Sequence, residues 1–179
     1  MTGYQQAVLC LSGSWSDGKY LVRNADRWYI DAVADLFPAQ PYFQRRPEAA
    51  KRDYWCIKSA AVSPPSLSDV SDWQGFSRAF VELQGSLDLW PHKNRRGETI
   101  RTPRLRLYGQ PDVLNFVAQH FPAGRKKLQV CRTQTGATSL YAYQSPAEVD
   151  AILESLDGSP RNDRIWSAWQ SILFDWRSL

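Results

Sequence analysis

Two histidines, three cysteines and one methionine are a thin supply of soft metal ligands and nucleophile partners in a chain of 179 residues. Cys10, Cys56 and Cys131 are far apart, and no CxxC pair or His/Cys cluster joins them to His92 or His120, so a zinc site is not expected. An odd, dispersed set of cysteines fits a reducing compartment, where thiols serve as small core residues. No GxSxG accompanies the histidines, and no GxxxxGK[ST] or GxGxxG is present. That argues against serine hydrolases of the nucleophile-elbow type and against the common nucleotide-binding loops. Long apolar runs are also missing. The longest near the N-terminus is Ala7–Leu11, far below the roughly 18 residues of a membrane span, and Met1–Gln6 contain no Lys or Arg to open a secretory leader. A cytoplasmic, or organellar and nucleoid-associated, protein without membrane association is expected.

What is present describes a globular chain. Hydrophobic residues make up 43% and charged residues 22%, enough for one ordinary domain or one built from two small halves. The net charge of +4 permits an anionic partner without demanding one. Residues 1–70 carry 8 basic and 7 acidic side chains and residues 71–179 carry 14 and 11, so the positive excess lies in the second part.

Pro64-Pro65-Ser66-Leu67-Ser68-Asp69 marks an internal seam, because two prolines break any helix and Ser/Asp suit turns and caps. The expected divisions are 1–66, 67–158 and 159–179. In the middle division, Trp73, Phe76, Phe80 and Leu83 predict a helix over 72–84, capped by Asp72 or Ser71 and released by Gly85. Alternation predicts strands over 86–90 and 102–108, with Arg104, Arg106 and Tyr108 on one face. A helix over 111–121, a hairpin of 127–133 with 138–144, and a helix over 146–156 complete the order helix, strand, strand, helix, strand, strand, helix. The first division repeats it in reduced form. It reads as a helix over 4–14 ended by Asp17-Gly18, one strand or a very tight hairpin within 19–25, a helix over 26–37, and a hairpin of 40–46 with 53–60. Residues 163–179 form an amphipathic helix, with Ile165, Trp166, Trp169, Ile172, Leu173 and Trp176 on its apolar stripe, packed on the body.

The segments Ala7-Val8-Leu9-Cys10-Leu11-Ser12-Gly13-Ser14-Trp15-Ser16-Asp17-Gly18 and Arg78-Ala79-Phe80-Val81-Glu82-Leu83-Gln84-Gly85-Ser86-Leu87 each place a glycine after a helix. With the duplicated order of elements, they resemble the LAGLIDADG family of homing endonucleases and maturases over about residues 4–157. The resemblance implies an α+β fold: a pseudo-two-fold duplicated αββαββα monomer with a reduced first half and an extra C-terminal helix. It also implies a partner, double-stranded DNA lying on the sheets, and a cofactor, Mg²⁺, held by acids at the ends of two packed motif helices. In that scheme Asp17 is the catalytic acid and metal ligand of the first copy, and Gln84 holds the matching place in the second. A glutamine there removes a negative charge, so nicking or binding without cleavage joins two-strand cleavage as an expected outcome. Glu82, two residues earlier, points about 200° away on a helix.

Five arginines within twelve residues, Arg95, Arg96, Arg101, Arg104 and Arg106, are candidate DNA contacts, and Lys127, Gln129 and Arg132 extend the same surface. Tyr141 and Tyr143 suit either groove contact or the covering of a sheet face. Trp15 falls where the first motif helix would meet its twin. Two other readings remain open: a non-cleaving relative that serves as an RNA-splicing cofactor or protein-interaction scaffold, and an unrelated α+β fold.

Overall fold

The computed structural model describes residues 1–46, 52–133 and 136–178, with side chains left undescribed at 132–137. It resolves into two compact units, Met1–Ala79 and Phe80–Leu179. The hairpin turn expected at 47–50, and residues 134–135 of the one expected at 134–137, lie outside the described residues; Gly136 already belongs to a strand.

The first unit opens with α1 (Gly3–Ser12), whose Thr2 and Gln5 form a capping box. Then come β1 (Gly13–Ser16), β2 (Lys19–Asn24), α2 (Arg27–Asp31), β3 (Tyr42–Gln44) and β4 (Tyr54–Ser59). The strands form one antiparallel sheet in the order β1-β2-β4-β3. The helix expected over 4–14 thus stops at Ser12, and the reduced strand pair is a complete two-residue hairpin. Asp17 and Gly18, with φ of 52° and 69°, make its turn, the conformation in which Asp-Gly suits the strand twist. Trp15, expected on the first motif helix, lies instead on β1, is 56% exposed and meets the Tyr20 ring edge-on.

The helix expected over 26–37 is cut to α2 because Val33 leaves helical geometry and Phe37, which precedes Pro38, is held extended. A 3-10 turn at Ala34–Leu36 carries the chain onward. Ile30, Val33 and Phe37 are buried nonetheless, so the apolar pattern survives the break.

α3 (Trp73–Gln84) begins in the first unit. The Asp72 carboxylate accepts from Gly75 N at 2.9 Å and, through its other oxygen, from Gly3 N at 2.9 Å. One side chain therefore caps the starts of both α3 and α1.

The second unit holds β5 (Gly85–Lys93), β6 (Thr99–Gly109), α4 (Pro111–Ala118), β7 (Gln129–Thr133), β8 (Gly136–Tyr143), α5 (Pro146–Ser155) and α6 (Asp163–Arg177). Its sheet order, β5-β6-β8-β7, repeats that of the first unit. β5 runs past Pro91, where alternation alone stops the strand at Trp90. An edge strand tolerates proline because it has a free side. Pro103 is tolerated for the same reason, since β8 pairs with β6 only from Leu105 onward.

Leu87, Leu105, Leu107, Tyr141 and Tyr143 face inward from this sheet and are buried with Leu114, Val117, Val149 and Ile152 of the helices. The two tyrosines thus cover the core side of the sheet and do not face a groove. Tyr143 donates to Gly124 O at 3.0 Å, and Tyr141 bonds Asn115. Trp166, Trp169 and Leu173 bury the inner stripe of α6.

Candidate nucleic-acid interface

The two motif ends are set by their glycines. α1 passes directly into β1 at Gly13, and a β-carbon there would lie 2.4 Å from Leu9 O and 2.2 Å from the Tyr20 hydroxyl. α3 passes into β5 at Gly85, where a β-carbon would lie 2.2 Å from Val81 O. In both cases the clash is with the carbonyl four residues back, because the chain leaves the helix as a strand without a turn. Gly13 and Gly85 are therefore equivalent, and the residues before them are Ser12 and Gln84. The first motif glycine is Gly13, not Gly18. Asp17 sits at the β1–β2 hairpin tip, exposed, and accepts from the Ser16 hydroxyl at 3.2 Å.

Ser12 is half-buried and accepts from the Asn24 amide at 3.3 Å. Close to it, Tyr20 donates to Leu9 O at 2.7 Å, filling a carbonyl that α1 leaves open at its end. Burial pushes the Tyr20 hydroxyl up to about 12, with Cys10 adding to the effect, so it stays a neutral donor. Glu82 is spent elsewhere. Its buried carboxylate accepts from Asn162 N at 3.0 Å and from Trp166 Nε1 at 2.6 Å, tying the start of α6 to α3 within the second unit.

The sheet face turned away from the helices carries the charge. On the second unit, register places Ser86, Asp88 and Trp90 of β5 opposite Arg106, Arg104 and Thr102 of β6. Asp88 grips Arg104 with both oxygens, at 3.0 and 2.7 Å, and holds Arg106 at 2.9 Å. The Arg104 guanidinium lies 3.9 Å over the Trp90 ring. Two fixed guanidiniums share one carboxylate, so the cluster keeps a net positive charge. The Arg106 Nε–H is buried and meets no hydrogen-bond acceptor among the described residues.

Tyr108 continues this face, and Leu140 of β8 sits between it and the exposed Gln129 of β7. Arg95 and Arg96 project from the β5–β6 hairpin tip, which Asn94 organises by accepting from Arg96 N and Glu98 N at 2.9 and 3.1 Å. Arg101 falls on the opposite parity, in register with Pro91, and does not join Arg104 and Arg106. Lys127 is exposed just before β7. The side chain of Arg132 lies outside the described residues.

The hydrogen bond from Arg104 holds the Asp88 carboxyl below the usual aspartate value of 3.8, with the charges of Arg106 and Arg104 adding to it. The folded chain keeps this group ionised where the unfolded chain would protonate it. The cluster therefore contributes stability above the ordinary aspartate value and loses it as pH falls through that value toward the lower folded one. Unfolding midpoints followed from about pH 5 to about pH 2 are expected to drop more steeply in the native chain than in Asp88→Asn. Equal slopes would show that the cluster contributes nothing.

The first unit has a basic face of its own. Lys19 and Arg23 of β2 and Lys58 of β4 are exposed on the side away from α1. Lys58 Nζ stands 6.0 Å from the Tyr42 ring centre, and Arg46 stands 5.5 Å from that of Tyr54. Cys56 is buried beneath this layer, its thiol 3.6 Å from the Gln44 amide oxygen. Burial raises its pKa although Arg23, Arg46 and Lys58 pull the other way, so it remains a thiol. The readable signal was Lys19 and Arg23 four apart on one strand face.

No protein-family model matches the chain, and no curated protein matches it in sequence. Solved structures do. The I-LtrWI LAGLIDADG homing endonuclease bound to target DNA matches with a TM-score of 0.67 and 8% identity over 98% of this chain and 90% of that one. I-SmaMI bound to uncleaved DNA target in the presence of calcium ions matches at 0.64 with 6% identity, over 99% and 92%. The N-terminal LAGLIDADG domain of DUF199/WhiA matches at 0.53 with 13% identity, over 88% and 82%. The chain therefore has the LAGLIDADG fold.

A divalent metal is what that fold implies, and the helix ends do not fit one. A hard cation takes carboxylate oxygens, whereas Ser12 and Gln84 offer a hydroxyl and a neutral amide. Among the described residues no group of three or more His, Cys, Asp or Glu side chains could hold a metal ion.

Proposed function

We propose that this chain is a double-stranded DNA-binding protein that holds its target without cutting it. The observation that carries the reading is the Asp88–Arg104–Arg106 cluster on the outer face of the second sheet. It presents preset guanidinium edges on the face turned away from the helices. Phosphate oxygens and the guanine major-groove edge are the acceptors such forks match. The DNA-bound relatives of the same fold support duplex DNA as the partner, and the neutral Ser12 and Gln84 support binding without hydrolysis.

The test is incubation with a randomised duplex library, in Mg²⁺ and in Ca²⁺, followed by sequencing of the retained and the cut molecules. Retention without cleavage, unchanged in Asp17→Asn, is the expected result. Cutting in Mg²⁺ that disappears in Asp17→Asn would restore an endonuclease. Absence of retention at low salt, where phosphate contacts are strongest, would end the DNA reading.

A further inference from the structure

Charge is segregated along the chain. Residues 145–179 carry three basic and six acidic side chains, against nineteen and twelve in residues 1–144. The acidic part is the α5 and α6 pair, and a groove of about 370 Å³ runs between the two helices. This lies at the small end of ligand-sized cavities, roughly 300–1,000 Å³. Leu153, Trp166, Trp169 and Leu173 make its apolar floor. Its cations are already matched: Arg161 pairs with Asp157 at 2.7 Å, and Arg177 with Asp150 at 3.1 Å. Glu154 is exposed on the rim and stays uncompensated by these pairs. Phe174, 70% exposed, stands one turn beyond the rim residue Gln170.

We propose that the α5–α6 groove docks a basic amphipathic helix of a protein partner, whose apolar side chains enter over the tryptophans while its Lys or Arg side chains face Glu154. Charge complementarity selects this occupant. An acidic rim repels nucleic acid and acidic peptides, and an apolar floor between two helices is the shape that receives one face of a third helix. The surface is separate from the outer sheet face, so the proposal stands whether or not the chain binds DNA.

The probe is a fluorescein-labelled helical peptide of about 18 residues, with Leu at i, i+3, i+4 and i+7 and Lys elsewhere. It is titrated against the full chain by fluorescence anisotropy. Saturable one-to-one binding with a Kd on the order of 10 µM is expected, weakening about tenfold in Glu154→Lys and in Gln170→Trp, which fills the groove. Both positions are exposed, so the variants keep the fold, which circular dichroism checks. Equal binding by the native chain and both variants would overturn the proposal, as would equal binding of a peptide with Glu in place of Lys. Self-association of the native chain that Glu154→Lys abolishes would assign the groove to a second copy and overturn it too.

Discussion

Removing both Arg104 and Arg106 as Arg104→Ala/Arg106→Ala is expected to weaken duplex DNA binding by about 100-fold or more at moderate salt. A good guanidinium contact to a base edge is worth about 1–3 kcal/mol, and each 1.4 kcal/mol is about tenfold in affinity. These two are held by Asp88 before any ligand arrives, so little ordering is needed on binding. The fold survives the change. Asp88, at 35% side-chain exposure, is left as a partly solvated carboxylate and not a buried charge.

The salt dependence separates two modes. If both arginines meet phosphates, the slope of log K against log salt falls by about 1.8; if they read bases, the slope holds while discrimination among sequences is lost. Arg95→Ala/Arg96→Ala at the exposed hairpin tip is expected to cost less, with a change in slope only. Binding by the Arg104→Ala/Arg106→Ala variant equal to that of the native chain would show that this face does not meet DNA.

The outer-face position of these arginines was legible because β6 alternates strictly: Leu105 and Leu107 must go to the core, which sends Arg104 and Arg106 the other way. The partner Asp88 was not identified, since pairing across strands depends on a register that a single strand does not state. The repeat of helix, strand, strand, helix, strand, strand was legible from periodicity and its glycine breaks. The identity of the first break was not. Ser12-Gly13 and Asp17-Gly18 both end in glycine, and a propensity reading prefers the Asp-Gly turn. Structure decides for Gly13 because only there does the chain turn from helix to strand against its own carbonyl. The helix over 26–37 was read too long, ending as α2 at Asp31, for a similar reason. Ile30, Val33 and Phe37 keep helical spacing, and burial rewards that spacing even where Val33 and Pro38 break the backbone pattern.

Glu82→Ala is expected to lower the thermal unfolding midpoint by about 10 °C. The carboxylate is 6% exposed and receives two N–H donors on one oxygen: the backbone of Asn162, which caps α6, and the indole of Trp166. Hydrogen bonds to a charged group contribute about 1.5–3 kcal/mol each, and deleting the acceptor removes both, so a loss of about 3–5 kcal/mol follows. A chain of this size shifts by about 2–4 °C per kcal/mol. Glu82→Gln keeps an oxygen of the same reach and is expected to lose less than half as much. Trp166→Phe removes one donor and falls between the two.

Because all three changes act on one cluster, Glu82→Ala combined with Trp166→Phe should cost clearly less than the sum of the single losses. Protease cleavage within residues 157–163, earlier in Glu82→Ala than global unfolding, would show that α6 detaches first. A midpoint within a degree or two of the native value would mean that this motif-helix acid does not hold the C-terminal helix. A fall of the expected size instead explains what an acid does in this helix when the position beside the glycine is Gln84: it anchors α6, and with it the acidic groove between α5 and α6.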